Sequence, residues 1–455
     1  MIDGQTTIFD MLYPKKKITK PIRLIECFAG YGSQALALKY LGVPFEHWKT
    51  CEWAIKSIQA YKDIHCDDVE TYSDFMDKDT LVDTLYNLGI SQNYNEPMKR
   101  EQIARLNEKQ LRTIYENIKA THNLVNIQQV HGKDLEIEDT DIYEYIMTYS
   151  FPCQDLSLAG KGKGMSDTST RSGMLWEVER ILTECKELGE LPQILLMENV
   201  PQVHSQDNLP DFNKWKDRLE ELGYKNYFQD LIATDYGIPQ TRNRCFMISL
   251  LGDYNYTFPK PIPLKLKLKD LLEDNVDKKY YLSDKMIKHI ESRMPSGDFH
   301  ITTGINVGNK ESLKTAGTIT TRAGNRATDN YLIDNNDYDY SKEKGKIIRI
   351  KNANSKGYLE ATEGDGIDIS SRMEYHRGTV QKGKTQTLTT MGGENNGVVS
   401  NDLRIRKLTP KECGRLMGVK DEDIDKIQLS DSAKYHIFGD AICVPVLCAI
   451  FKEMI

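Results

Sequence analysis

The nine cysteines of this 455-residue chain include no C-x-x-C pair, which argues against a zinc ribbon or a disulfide framework. Each thiol must be judged singly. No apolar run approaches the length of a membrane span, and the N-terminus lacks the apolar core of a signal peptide. Those absences lead us to expect a cytoplasmic protein with no membrane partner. An excess of basic residues is missing too. With 60 Lys+Arg against 67 Asp+Glu the net charge is -7, unlike a protein that coats nucleic acid. Charge can be local, however. Residues 260–404 carry 24 Lys+Arg and 20 Asp+Glu, a net of +4, which leaves the remainder at -11. If the chain binds nucleic acid, its C-terminal third offers the better surface.

What is present reads as globular: 39% hydrophobic and 28% charged residues, on a length that suggests two domains. Ile22 to Phe28 forms an apolar run that leads into Ala29-Gly30-Tyr31-Gly32-Ser33, and a helical pattern follows through Ala35, Leu38 and Leu41. Strand, glycine turn and helix in that order begin an open parallel α/β sheet. Further strands are expected at Trp48–Glu52, Ile142–Tyr149, Ile194–Glu198 and Arg244–Leu250, with helices over Met174–Leu188 and Asp211–Leu222. The alternation predicts a doubly wound α/β sheet. Residues 67–126 are polar and acidic, and read as a helical insertion. Prolines at 259, 261 and 263 mark a domain boundary. Beyond it, short β-like runs alternate with Gly/Asn-rich stretches. Two runs there echo each other, Gly317–Thr321 and Gln386–Thr390, without making a repeat array.

Five places carry chemistry. Gly30 and Gly32 let the backbone approach a ligand and start a helix whose N-terminus favours electronegative groups. A purely structural turn fits them equally. Some 20 residues on, a strand ends in Glu52-Trp53, an acid suited to ribose hydroxyls beside an indole that can stack on adenine. A surface acid and a core indole are the plainer alternative. Pro152-Cys153-Gln154 follows another strand and precedes a Gly/Ser/Lys-rich stretch, Ser157 to Gly173, that suits a loop closing over substrate. A cysteine taken alone is more often a small buried hydrophobe than a nucleophile. Glu198-Asn199-Val200 ends a further strand, which parallel pairing would bring to the same rim as Cys153. Arg242 and Arg244 alternate into the next strand, so both guanidinium groups face one side and could pair with Glu198, a base carbonyl or a phosphate.

In chain order these elements resemble the DNA cytosine carbon-5 methyltransferase family. Two later stretches match as well: Arg406 to Gly418, and Phe438-Gly439-Asp440-Ala441-Ile442. The resemblance implies a Rossmann-like methyltransferase sheet over residues 1–260 and 433–455, and a smaller β-rich target recognition domain over 261–432. It implies S-adenosylmethionine lying over the turn Phe28–Ser33 (Phe28, Ala29, Gly30, Tyr31, Gly32, Ser33). Phe28 would pack on the adenine, Glu52 bind the ribose and Trp53 flank the ring. Asp134-Leu135 would form the next cofactor element, with Pro152, Leu175, Asp440 and Ala441 completing the pocket. Cys153 would attack carbon 6 of a flipped cytosine, Glu198 would act at N3, and Arg244 would hold the base oxygen. Arg242 would support that network and Asn199 would orient Pro152-Cys153. Gln154, Ser157, Thr387 and Leu388 would meet the DNA. One departure stands out: Asp440 replaces the amide usual after that glycine, which puts its role at the cofactor in doubt.

The resemblance implies duplex DNA as the substrate of a monomer, and it leaves open whether a cognate restriction endonuclease accompanies the chain or it is an orphan or phage-borne enzyme. No metal is called for. A transfer-RNA cytosine methyltransferase shares these motifs, but manages with a smaller region than 261–404. Amino-directed methyltransferases use a Pro-Pro motif, and no Pro-Pro occurs in this chain. A catalytically silent DNA-binding relative would not need Cys153, Glu198 and Arg244 together. An unrelated thiol enzyme would leave Glu52-Trp53 unexplained.

Overall fold

The computed structural model describes residues 14–67, 71–152, 172–280 and 407–455, with short segments between 348 and 398. Cys153, Gln154, Ser157, Thr387 and Leu388 lie outside the described residues, as do Gly317–Thr321 and Gln386–Thr390.

Two compact units divide the chain. The first comprises residues 1–231, 243–260 and 446–455; the second comprises 232–242 and 261–445. The division at 260/261 lies in the proline-rich stretch. The chain returns to the first unit at Val446, later than 433, and residues 232–242 belong with the second unit instead of the first.

The first unit is built on a six-stranded sheet: β1 (Ile22–Cys27), β2 (Phe45–Cys51), β3 (Glu144–Tyr149), β4 (Ile194–Asn199), β5 (Tyr224–Ile232) and β6 (Asn243–Leu251), in the order β2-β1-β3-β4-β6-β5. β1, β2, β3 and β4 pair in parallel, and β6 runs antiparallel to β4. The sheet is therefore mixed, a common variation on doubly wound folds. β3 and β4 are buried at all six positions each, as central strands covered on both faces must be. That suits their largely apolar sequence, which Glu144, Thr148, Glu198 and Asn199 interrupt. β5 escaped the sequence reading because Lys225, Asn226, Gln229 and Asp230 break any apolar pattern.

Helices flank the sheet: α1 (Ser33–Tyr40), α2 (Ile55–His65), α3 (Lys78–Leu88), α4 (Arg100–Ala104), α5 (Glu108–Ala120), α6 (Leu175–Leu188) and α7 (Leu209–Leu222). α6 buries Leu175, Val178, Ile181, Leu182 and Cys185, one face at helical spacing, and stops at Gly189 in the left-handed region. α3, α4 and α5 form the expected helical insertion, with a core of their own.

In the second unit, β7 (Ile348–Lys351) pairs with β8 (Tyr358–Ala361), and β9 (Gly366–Asp368) lies between β10 (Val380–Gln381) and β11 (Asn396–Val398). Helices α8 (Pro410–Leu416), α9 (Asp421–Ile424) and α10 (Asp431–Asp440) follow. The stretch around Arg406–Gly418 turns out to be architectural. Thr409 caps α8 with Pro410 in its first turn, and Glu412 reaches back to the Thr409 N–H at 2.8 Å, a capping box. Any side chain at Gly414 would strike Ile424 and Phe438.

Asp431–Lys452 has the length and apolarity of a membrane span, contrary to the sequence reading. It is broken between α10 and α11 (Val444–Lys452), and 61% of the apolar stretch is buried within the protein. It serves as core.

Candidate active site

In the first unit, β1, β2, β3 and β4 end at one rim of the sheet. The turn after β1 is held tightly. Phe28 adopts φ 59, a left-handed conformation costly for an aromatic residue, and its N–H donates to the Cys51 carbonyl at 2.7 Å. Gly30 and Gly32 have φ of 57 and 80. A Cβ on Gly32 would drive into His65 and Tyr61, whereas a Cβ on Gly30 would meet nothing within 4 Å. Gly32 is thus required by packing. Gly30 leaves open space above the turn. Ala29, Tyr31 and Ser33 are buried beneath it.

The first turn of α1 is held partly from inside the protein. Buried Glu26 Oε1 accepts the Ala35 N–H at 3.3 Å, and its Oε2 accepts the Tyr61 hydroxyl at 2.6 Å. Burial pushes the Glu26 carboxyl up to about 7. The electronegative group that the helix favours is therefore the protein's own.

Glu52 stands beside the turn. One carboxylate oxygen accepts the Gly30 N–H at 3.0 Å and the other accepts the Ala54 N–H at 2.8 Å. Burial pushes this carboxyl up to about 7, against the pull of those N–H donors. The Trp53 N–H bears on it as well, so three backbone donors meet this carboxylate. Trp53 is half-buried against the core of the insertion. Asn123, which sequence reading missed, bonds both main-chain groups of Glu52: the Glu52 N–H donates to Asn123 Oδ1 at 3.0 Å, and Asn123 Nδ2 donates to the Glu52 carbonyl at 2.9 Å. Seventy-one residues of separation leave no sequence signal for such a pair.

Asp134 and Leu135 sit elsewhere. Asp134 accepts the His131 N–H at 2.8 Å, and the Leu135 carbonyl accepts the Trp48 indole N–H at 2.8 Å. Trp48 lies three residues before the end of β2, roughly 10 Å back from the rim by strand rise. The segment beside the ends of β2 and Glu52 is residues 121–125. Leu175 opens α6, fully buried.

On the other half of the rim, Tyr149 pairs with Met197, so the residues after β3 are level with Glu198 and Asn199. Asn199 Nδ2 donates to the Phe151 carbonyl at 3.0 Å, holding the backbone two residues before Cys153. Pro152 is half-buried. Arg244 Nε lies 3.0 Å from Glu198 Oε1, and these side chains are only 13% and 7% exposed. The antiparallel course of β6 is what brings Arg244 here, since its first residues face the last residues of β4.

The two arginines part company. Arg244 belongs to this rim, while Arg242, in the second unit, donates from Nη1 to the Gly439 carbonyl at 3.2 Å. That contact sits at the C-terminal end of α10, where a cation is favoured. Asp440, at the same helix end, pairs with His436 at 3.1 Å, and Ala441 follows as the helix cap.

His204, Asp230 and Cys245 also gather a ring nitrogen, a carboxylate oxygen and a thiol within 4.8 Å of one another. His204 Nε2 and Asp230 Oδ1 already pair at 2.9 Å, and burial pushes the Cys245 thiol far up. We read this trio as a hydrogen-bonded pair beside an inert thiol.

A family model for C-5 cytosine-specific DNA methylases matches residues 86–455. Curated relatives include the type II methyltransferase M2.ScrFI of Lactococcus lactis subsp. cremoris, 30% identical over 95% of this chain and 99% of its own length. The orphan methyltransferase M.SssI of Spiroplasma monobiae is 30% identical over 96% and 98%. Among solved structures, the Entamoeba histolytica methyltransferase EhMeth aligns over 96% of this chain and 98% of its own at a TM-score of 0.52, with 14% identity, a likeness of fold. Supported by the family model and by two relatives matched along nearly their whole length, this chain belongs to the C-5 cytosine-specific DNA methylase family.

Proposed function

We propose that this chain transfers a methyl group from S-adenosylmethionine to carbon 5 of a cytosine flipped out of a specific duplex DNA sequence, with Cys153 as the covalent nucleophile. The observation that carries this reading is the buried Glu198–Arg244 pair, 3.0 Å apart at the rim toward which β3 delivers Pro152-Cys153.

Cytosine carbon 5 is a poor nucleophile. Addition of the Cys153 thiolate to carbon 6 pushes electron density to carbon 5, which takes the methyl group. A base then removes the carbon-5 proton, the carbon–sulfur bond breaks and the thiolate leaves. Glu198 bonds the ring at N3, where charge builds, and Arg244 holds Glu198 in place and meets the base oxygen. Asn199 orients the approach to Cys153 through the Phe151 carbonyl. Arg242 acts at a distance, by anchoring Gly439. Flipping costs a few kcal/mol, the order expected for unstacking one base.

The residues at the turn fit an adenosine group. Gly30 offers open space, Glu52 offers a carboxylate beside it for ribose hydroxyls, and Phe28 and Trp53 offer apolar rings. When bound, S-adenosylmethionine supplies an electrophilic methyl group. Pro152 and Leu175 belong to its pocket in this reading, and Asp440 and Ala441 are further candidates for cofactor contact. Gln154, Ser157, Thr387 and Leu388 contact the DNA, and the second unit reads the target sequence. We further propose a cytoplasmic monomer that works beside a restriction endonuclease.

The test is transfer of label from S-adenosylmethionine to duplex DNA of mixed sequence, beside transfer RNA, with wild type and Cys153→Ser. Label in DNA that vanishes in the variant supports the reading. Transfer to RNA alone, or equal transfer by the variant, overturns it.

A further inference from the structure

The helical insertion has no evident part in the chemistry, yet it ends against Glu52, the acid beside the turn. Its core of Leu81, Leu85, Ile103, Leu111 and Ile118 is separate from the core beneath the sheet. From that body, residues 121–125 return along the outer edge of β2, which has no other strand neighbour in the sheet. The Thr50 N–H donates to the His122 carbonyl at 3.2 Å, and the Leu124 N–H donates to the Thr50 carbonyl at 2.8 Å. At the rim the main chain stops pairing and a side chain takes over. Asn123 mimics a strand neighbour, receiving the Glu52 N–H and donating to the Glu52 carbonyl, at 3.0 and 2.9 Å. Next door, the Ser91 N–H donates to the Trp53 carbonyl at 2.7 Å, and the Ile55 N–H donates to the Ser91 carbonyl at 3.0 Å.

The same amide fixes its own loop. Val125 adopts φ 65, a conformation rare for a β-branched residue, and its N–H donates to Asn123 Oδ1 at 2.9 Å. Strain of this kind persists only where the surroundings over-determine the backbone. Glu52 is thus clamped from two sides: its carboxylate by the Gly30 and Ala54 N–H groups, its main chain by Asn123. The carboxamide at 123 carries its acceptor and its donor on separate atoms, spaced to meet one residue's N–H and carbonyl.

We propose that Asn123 is a positioning residue for the cofactor, and that the insertion is the outer buttress of the adenosine pocket, setting where the Glu52 carboxylate meets the ribose. This rests on the reading of Glu52 as the ribose ligand. The experiment is calorimetric binding of S-adenosylhomocysteine to the full chain, with thermal melting alongside, for Asn123→Ala, Glu52→Ala, the double variant and Leu111→Ala. Asn123→Ala is expected to weaken binding about tenfold, and to weaken it no further in the Glu52→Ala background, since effects exerted through one group do not add. Leu111→Ala, which opens a cavity in the insertion core, should lower the melting temperature and leave binding within twofold. Should Asn123→Ala fail to fold, Asn123→Asp keeps the acceptor, loses the donor and should show a smaller loss with the same non-additivity. Wild-type affinity in the Asn123 variants, full additivity, or an equal loss in Leu111→Ala overturns the proposal. Wild-type affinity in Glu52→Ala sinks the underlying reading of Glu52 instead, and is seen separately.

Discussion

Gly30 and Gly32 are two residues apart and answer to different demands. At Gly32, positive φ combines with the rings of Tyr61 and His65. Gly32→Ala should therefore cost roughly 2–4 kcal/mol of stability, a backbone and clash penalty visible as a lower denaturation midpoint. Gly30 has the positive φ but no neighbour. Gly30→Ala should cost only about 1 kcal/mol, while placing a methyl group in the space over the turn. We expect S-adenosylhomocysteine binding to fall at least tenfold with little change in melting. If the two variants behave alike, the space over Gly30 is not the cofactor's. The Glu198–Arg244 pair makes a second contrast. Arg244→Ala leaves a buried carboxylate without its cation, which should cost about 3–5 kcal/mol. Glu198→Gln keeps the shape and a hydrogen bond, so its stability should change far less while kcat falls about 100-fold or more. Chemical denaturation and single-turnover rates separate the two effects.

At the scale of elements, α1 is fastened by a buried acid. Glu26 has a folded-state pKa near 7 against an ordinary value of 4.5, so folding favours its protonated form. The stability this contributes is fully present below about 4.5 and is lost as the pH rises through about 7. The loss is about 3 kcal/mol for a shift of this size. Glu26→Gln should flatten the fall in melting temperature between about pH 5 and 8; a variant profile parallel to wild type would contradict this. Asn199→Ala should loosen the backbone before Cys153 by removing the bond to Phe151. We expect slower methyl transfer at unchanged cofactor affinity, read from kcat beside a binding isotherm. The elements themselves were largely legible. β1, β3, β4 and α6 announce themselves because uniform burial or one-faced burial writes a pattern into the sequence. β5 does not, for its polar residues obey no such pattern. The helix N-terminus at α1 was legible only in part: residue types mark a place that favours an electronegative group but do not say that Glu26, seven residues before Ser33, takes the Ala35 N–H.

At the scale of the whole molecule, the boundary near Pro261 could be read from prolines, but the fate of residues 232–242 could not. Gln240 Nε2 donates to the Leu416 carbonyl at 2.7 Å and Arg242 Nη1 donates to the Gly439 carbonyl at 3.2 Å, contacts that span some 180 to 200 residues. Only the folded chain reveals such partners, and so Arg242 and Arg244, adjacent in pattern, serve different units. The same holds for Asp134, which looked like a cofactor ligand by chain order and instead caps His131 behind the rim. What the sequence does convey is the company of Cys153: strand ends carrying Gly30, Glu52, Asn199 and Glu198 meet at one rim, although Cys153 itself lies outside the described residues. The most direct measurement of its role uses duplex DNA in which cytosines carry fluorine at carbon 5, incubated with S-adenosylmethionine. Fluorine cannot leave as a proton does, so after methyl transfer the carbon–sulfur bond cannot break by elimination. The account predicts a denaturation-resistant protein–DNA adduct that maps to the peptide containing Cys153 and is absent in Cys153→Ser. An adduct that survives in Cys153→Ser, or no adduct with DNA whose unmodified form the enzyme methylates, would contradict it.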